Sequence, residues 1–182
     1  MGTQMLPHTA KELVKLEATA RGYADVKGGD IYRGFMLFRY CANHVSVLCD
    51  KKYDLGEEED EEGDTLIKWQ RTKKQGAAAR TSILKHKNID FDVSEWAKAL
   101  YRRKRRNNRV YWYRKMQELG AAAGVANVSP NSLRHSLAVQ LLNEGYHEST
   151  VAQLLNCDRK TLKWYARFTD KGLKNKLKES GW

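Results

Sequence analysis

The sequence predicts a mostly α (α+β) domain in which one small antiparallel β-hairpin sheet interrupts a run of helices. Three observations carry that prediction. Apolar residues recur at helical spacing, as with Leu13 and Leu16 or Trp96 and Leu100. Two short stretches, Thr65 to Trp69 and Thr81 to Leu84, alternate instead and carry β-branched residues. The chain of 182 residues is 41% hydrophobic and has neither an internal repeat nor a dividing linker, so one core is expected.

Thr9 to Arg21 reads as a helix, because Thr9 can cap it and Glu12 stands three residues later. Gly28 and Gly29 break that pattern. Ile31 to Leu48 is strongly apolar, with Phe35, Phe38, Val45 and Leu48 near helical spacing, and reads as one buried helix or two with a turn between them. Lys73-Lys74-Gln75-Gly76 is a turn that joins the two alternating stretches into a hairpin. Helices follow over Val93 to Arg106 and Val110 to Ala122, the second ending before Gly124. Ser129-Pro130 opens a helix from Asn131 to Asn143, with Pro in its first turn and Gly145 beyond its end. Glu148 to Leu155 and Lys160 to Phe168 complete the set. Residues 1–8 read as a disordered or appended N-terminus, 9–168 as a single domain and 169–182 as a tail.

Charge narrows the function. The 33 Lys+Arg against 22 Asp+Glu give a formal charge of +11, which points to a polyanion and first to nucleic acid. The surplus is uneven. Residues 56–64 hold Glu57, Glu58, Glu59, Asp60, Glu61, Glu62 and Asp64, an acidic block expected to be a solvated loop, or else a mimic of DNA on the basic face. Arg102, Arg103, Arg105, Arg106 and Arg109 form the opposite pole and can track phosphates. Three cysteines without a CxxC argue against a disulfide framework or a cysteine zinc site, so a reducing, intracellular (cytoplasmic) setting is expected. No apolar run approaches the roughly 20 residues that span a bilayer.

The most informative stretch is Ser129-Pro130-Asn131-Ser132-Leu133-Arg134-His135, continuing to Leu141-Leu142-Asn143-Glu144-Gly145, then Leu154-Leu155-Asn156-Cys157, then Tyr165. It resembles the C-terminal half of the catalytic domain of the tyrosine recombinase (phage integrase) family. There a Ser/Thr-Pro-His-x-Leu-Arg-His block precedes a helix ending in Leu-Leu-x-x-Gly, a Leu-Leu-Gly-His turn and a tyrosine nucleophile. The resemblance implies a helical catalytic domain with a small hairpin sheet. It also implies cleavage and rejoining of duplex DNA through a 3′-phosphotyrosyl link, with no metal or nucleotide cofactor.

By the same resemblance Tyr165 is the nucleophile and Arg134 the second active-site arginine. Lys74, or Lys73, is the hairpin lysine that protonates the leaving oxygen. Arg39 is the candidate for the first arginine, with Arg33 as the alternate. Two positions depart from the pattern. Asn131 stands where the family has a histidine, and Cys157 where it has a histidine or tryptophan, which fits a divergent member from a virus or plasmid, or one without catalysis. His135 is retained at a position the family uses structurally. The family usually carries a further N-terminal domain that clamps the DNA. The few residues before Thr9 are too short for one, so a fragment or a minimal protein is expected. The 169–182 tail is expected to pack on a neighbouring protomer of a dimer or tetramer on DNA, or on its own domain.

Two other readings compete. Glu148 to Phe168 can form a helix-turn-helix, with Ala152, Asn156 and Leu162 at its small, turn and apolar positions and Arg159 and Lys160 touching DNA. A basic RNA-binding scaffold is the third, and lacks any aromatic-rich strand motif.

Overall fold

The computed structural model describes residues 6–24, 29–41, 44–49, 53–71, 81–102, 108–155, 157–170, 172 and 174. Its elements run α1 (Ala10–Arg21), α2 (Gly29–Tyr40), α3 (Val45–Cys49), β1 (Tyr53–Glu59), β2 (Thr65–Arg71), β3 (Thr81–Leu84), α4 (Val93–Arg102), α5 (Arg109–Ala123), α6 (Pro130–Asn143), α7 (Glu148–Leu155) and α8 (Arg159–Ala166). The apolar stretch from Ile31 to Leu48 is two helices, α2 and α3.

Local chemistry explains where the helices begin. Thr9 and Glu12 close a capping box on α1, with Thr9 N–H donating to Glu12 Oε2 at 2.8 Å. Asn108 caps α5 by accepting from Tyr111 N–H, and Gly124 ends it in the left-handed region at φ 65°. Asp158 caps α8 through Thr161 N–H at 2.8 Å. Such caps each contribute about 1 kcal/mol.

The sheet has the order β1-β2-β3, antiparallel throughout. Its registers set Leu55 opposite Trp69 and Ile67 opposite Ile83, and Leu55, Ile67 and Trp69 are buried. Here the acidic block departs from expectation. Glu57, Glu58 and Glu59 lie in β1, and the hairpin turn is confined to the residues after them. Glu57 is half-buried because its carboxylate takes Lys85 Nζ at 2.7 Å and Val93 N–H at 2.9 Å. Lys68 Nζ reaches Glu58 at 3.3 Å. In the turn Asp60 Oδ1 accepts from Glu62 and Asp64 N–H at 3.0 and 2.8 Å. Strand pairing and lysines from other segments neutralise the repulsion that a bare acidic run would suffer.

Two apolar clusters share α6. The larger packs Leu16 of α1, Phe35 and Phe38 of α2, Trp112 and Met116 of α5, and Leu133 of α6. The smaller joins Leu137 and Ala138 of α6 to Val151 and Leu155 of α7 and to Leu162 and Tyr165 of α8. Segments from near the two limits of the described residues touch this helix. His8, in the segment expected to be disordered, donates its N–H to Ser136 Oγ at 2.7 Å, and its Nε2 lies 2.9 Å from Ser132 Oγ. At the start of the tail, Asp170 N–H donates to Asn143 Oδ1 at 3.0 Å. Among the described residues no helix is long and apolar enough to cross a membrane.

Gly34 sets the approach of α2 to α5. A Cβ there would lie 2.2 Å from Trp112 Cζ3, and the Trp112 ring is fully buried edge-on to Phe38. In an open helix Gly→Ala stabilises by about 1 kcal/mol. Gly34→Ala is therefore expected to reverse the sign and cost about 1–3 kcal/mol through overpacking, seen as a lower urea midpoint.

Candidate active site

The first turn of α6 positions the site. Ser129 Oγ accepts Ser132 N–H at 3.0 Å while Ser132 Oγ accepts Ser129 N–H at 2.9 Å, and Pro130 occupies a position whose missing N–H costs no helical bond. Asn131, Arg134 and His135 then share one face of the helix by their spacing. Arg134 is half-buried and donates Nη2 to the backbone carbonyl of Leu155, the last residue of α7. That carbonyl is one of the acceptors a helix leaves open at its C-terminus.

Arg134 also hydrogen-bonds the phenol of Tyr165 on α8. Tyr165 is only 3% exposed, its ring 5.3 Å from His135 and 5.2 Å from Trp164. Burial pushes the phenol above its ordinary pKa, and the Arg134 cation works against that shift. The same burial lowers the Arg134 pKa, although an arginine stays charged at any physiological pH. Cys157, between α7 and α8, feels Arg134 as well. Desolvation raises its thiol pKa, Arg134 lowers it and Asp158 adds to the rise.

A second group of side chains, of which only Arg109 was a candidate and that from the basic run, reaches Arg134 through His44. His44 precedes α3, and Arg134 and Arg109 both act on its ring. Its Nδ1 accepts Ser46 N–H at 3.2 Å and lies 2.9 Å from Ser46 Oγ. Arg109, at the start of α5, donates Nη2 to that Ser46 hydroxyl at 2.6 Å. Desolvation, Arg134 and Arg109, in that order, hold the imidazole below its ordinary pKa. Arg109 of α5 and Arg134 of α6 thus both act on the ring of His44, which stands just before α3. The local signal was visible as His-x-Ser, a turn pattern repeated at His147-Glu148-Ser149, but only the fold puts it beside Arg134.

The model for the "Phage integrase family" matches residues 52–171, about two thirds of the chain. The chain belongs to the phage integrase family. A comparison with curated protein sequences found no match. Among solved structures, this integrase-family chain is similar to the XerA recombinase, with a TM-score of 0.66 and 17% identity over 100% of this chain and 67% of that one. It is similar to the XerH site-specific recombinase in a post-cleavage complex with palindromic difH substrate, with a TM-score of 0.72 and 16% identity over 96% and 53%. It also resembles the Tn1549 transposon integrase in complex with a circular intermediate DNA, with a TM-score of 0.57 and 9% identity over 97% and 66%. The chain therefore spans between half and two thirds of these longer proteins.

Arg39 is 8% exposed and donates Nη2 to Gln140 at 2.6 Å, with its guanidinium 4.9 Å from the Tyr40 ring. Gln140 is further along α6 than Arg134 by roughly 9 Å of helical rise. Tyr40, Glu17 and Glu144 are the charged and polar groups that act on Arg39, after desolvation, which lowers its pKa. None of Arg134, Cys157 and Tyr165 is among them. Arg33 lies 5.8 Å over the Phe91 ring. Asn131 is half-buried in the first turn of α6. Lys73, Lys74, Arg103, Arg105, Arg106 and Asn156 lie outside the described residues, as does the side chain of Arg159. Arg102, Arg109 and Lys160 are exposed. Among the described residues no cluster of His, Cys, Asp and Glu could hold a metal ion.

Arg134→Gln removes the cation that favours the Tyr165 phenolate, so the Tyr165 pKa is expected to rise further. Alkaline difference absorbance at the tyrosinate band, with Tyr165→Phe as the blank, checks this. An unchanged titration would mean that the guanidinium does not act on the phenol.

Proposed function

We propose that this integrase-family domain cleaves and rejoins duplex DNA through a covalent 3′-phosphotyrosyl intermediate formed on Tyr165. The observation that carries the reading is the pairing of the buried Tyr165 hydroxyl with the Arg134 guanidinium, the cation that favours its ionisation. DNA as substrate is also supported by relatives of similar fold whose structures hold DNA, XerH and the Tn1549 integrase among them.

The chemistry follows from the groups. A phosphodiester entering the site replaces the phenol on Arg134, whose planar fork suits two non-bridging oxygens. The freed Tyr165 oxygen gives its proton to solvent and attacks phosphorus, and the bond from phosphorus to the 5′-oxygen breaks. Charge that builds on the phosphorane oxygens is met by fixed cations in a site of low dielectric, where such stabilisation is largest. A hairpin lysine, Lys74 or Lys73, gives its proton to the departing 5′-oxygen. Attack by a 5′-hydroxyl on the phosphotyrosine reverses the step, so the bond energy is conserved and no cofactor is consumed. Asn131 can donate to a phosphate oxygen but cannot relay a proton, and Cys157 is a weak donor. Arg102, Arg103, Arg105, Arg106, Arg109, Arg159 and Lys160 grip the backbone of the duplex, and subunits pair on DNA as dimers or tetramers.

A nicked suicide duplex carrying the cognate site is expected to trap an SDS-resistant protein–DNA adduct that Tyr165→Phe abolishes and Arg134→Gln reduces by about a hundredfold or more. DNA binding without any adduct would favour a helix-turn-helix module built on α7 and α8. Replacing Lys73 and Lys74 singly is expected to slow cleavage at one position only, with the rate restored by a 5′-thio leaving group that needs no proton.

A further inference from the structure

We infer that His44 is a phosphate-binding residue of this site, its Nε2–H and the Arg109 guanidinium gripping a phosphodiester oxygen beside Arg134. The inference rests on the reading of Arg134 and Tyr165 as a phosphodiester site and adds to it a donor that neither motif nor resemblance assigned.

The bonds of the ring set its tautomer. Ser46 N–H can only donate, so the Nδ1 that receives it at 3.2 Å carries the lone pair and the proton of the neutral ring sits on Nε2. His44 is exposed, which leaves that Nε2–H available to a ligand. The Ser46 hydroxyl, itself buried, lies against Nδ1 at 2.9 Å and accepts Arg109 Nη2 at 2.6 Å, so the imidazole and the guanidinium are held by one serine. A helix cap alone explains the first of these contacts. His147 makes the same local turn with Ser149, its Nδ1 2.7 Å from the hydroxyl and accepting the amide at 3.3 Å. What sets His44 apart is the arginine on its serine and a second arginine acting on its ring.

Among the described residues the charged groups acting on the ring are Arg134 from α6 and Arg109 from α5, while β1 and α4, which also pack on α3, contribute none. Both are cations, so the free ring is neutral at pH 7 and donates one bond. An arriving phosphodiester reverses the local field and favours imidazolium. DNA binding at this position is therefore coupled to proton uptake. The Asn131 and Cys157 positions offer no group that titrates this way, since an amide does not ionise and the thiol is held neutral.

The test follows the His44 ring nitrogens by NMR, assigned through its backbone amide, from pH 5 to 8 with and without a short duplex DNA. The free protein is expected to show the neutral Nε2–H form with a midpoint below the ordinary imidazole value. Duplex is expected to raise that midpoint by about one pH unit. In anisotropy titrations at low salt, His44→Ala is expected to weaken binding about fivefold. His44→Gln keeps an amide N–H near the Nε2 position and is expected to recover part of that loss. It should also lack the extra tightening that the wild type gains as pH falls below 7. The other four histidines remain in every variant, so the difference in slope belongs to His44. A His44 midpoint indifferent to DNA, together with wild-type affinity in His44→Ala, makes the residue a helix cap and overturns the inference. If Arg134→Gln weakens binding in that same series, the phosphodiester reading stands without His44. If Arg134→Gln binds like the wild type, that reading falls too.

Discussion

The guanidinium of Arg134 ties together parts of the chain that have no other reason to meet. From α6 it satisfies the last carbonyl of α7 and bonds the phenol of α8, so one side chain fixes the orientation of both C-terminal helices. The surrounding cluster is small, built from Leu137, Ala138, Val151, Leu155, Leu162 and Tyr165, and helices as short as α7 and α8 do not hold themselves in water. Taking an arginine partly out of water is costly, and its hydrogen bonds to the Leu155 carbonyl and the Tyr165 phenol offset that cost. The capping box of Ser129 and Ser132 matters for the same reason, since it holds the turn from which the guanidinium reaches out.

This arrangement sets a tension that the proposed chemistry uses. A phenol shielded from water is a poor acid, yet the cation beside it moves it back toward ionisation. The phenol and a phosphate compete for the same guanidinium. In the proposed chemistry the phenol stays covered until a phosphate takes its place on the guanidinium. His44, just before α3, and Arg109 of α5 stand on segments of the larger core, so the proposed anion site draws on both apolar clusters. Any slippage of the smaller cluster against the larger would separate Tyr165 and Arg134 from the other basic groups.

Much of this was legible in the chain because the signals are local. Thr9 with Glu12, and Ser129 with Pro130, announce helix starts through bonds made within one turn. Thr65 to Trp69 and Thr81 to Leu84 announce strands by alternation, and both are strands in one sheet. β1 was not legible. Its glutamates look unable to pack until Lys85, Lys68 and the amide of Val93 are placed against them, and those partners come from later segments. The same reason hid His44. Arg39, the candidate read from the sequence as the first arginine, meets Gln140 and Tyr40 from α2, while His44, just before α3, is acted on by Arg134 and Arg109.

The sequence by itself determined the helical class, the hairpin, the family resemblance and the block that carries Arg134 and Tyr165, because periodicity, capping and motif spacing act over a few neighbouring residues. The tertiary structure alone decided that Arg134 meets the phenol and His44 meets Arg134 and Arg109, and how far water is kept from the phenol. Those are matters of distance and dielectric between segments remote in the chain, and no local pattern encodes them.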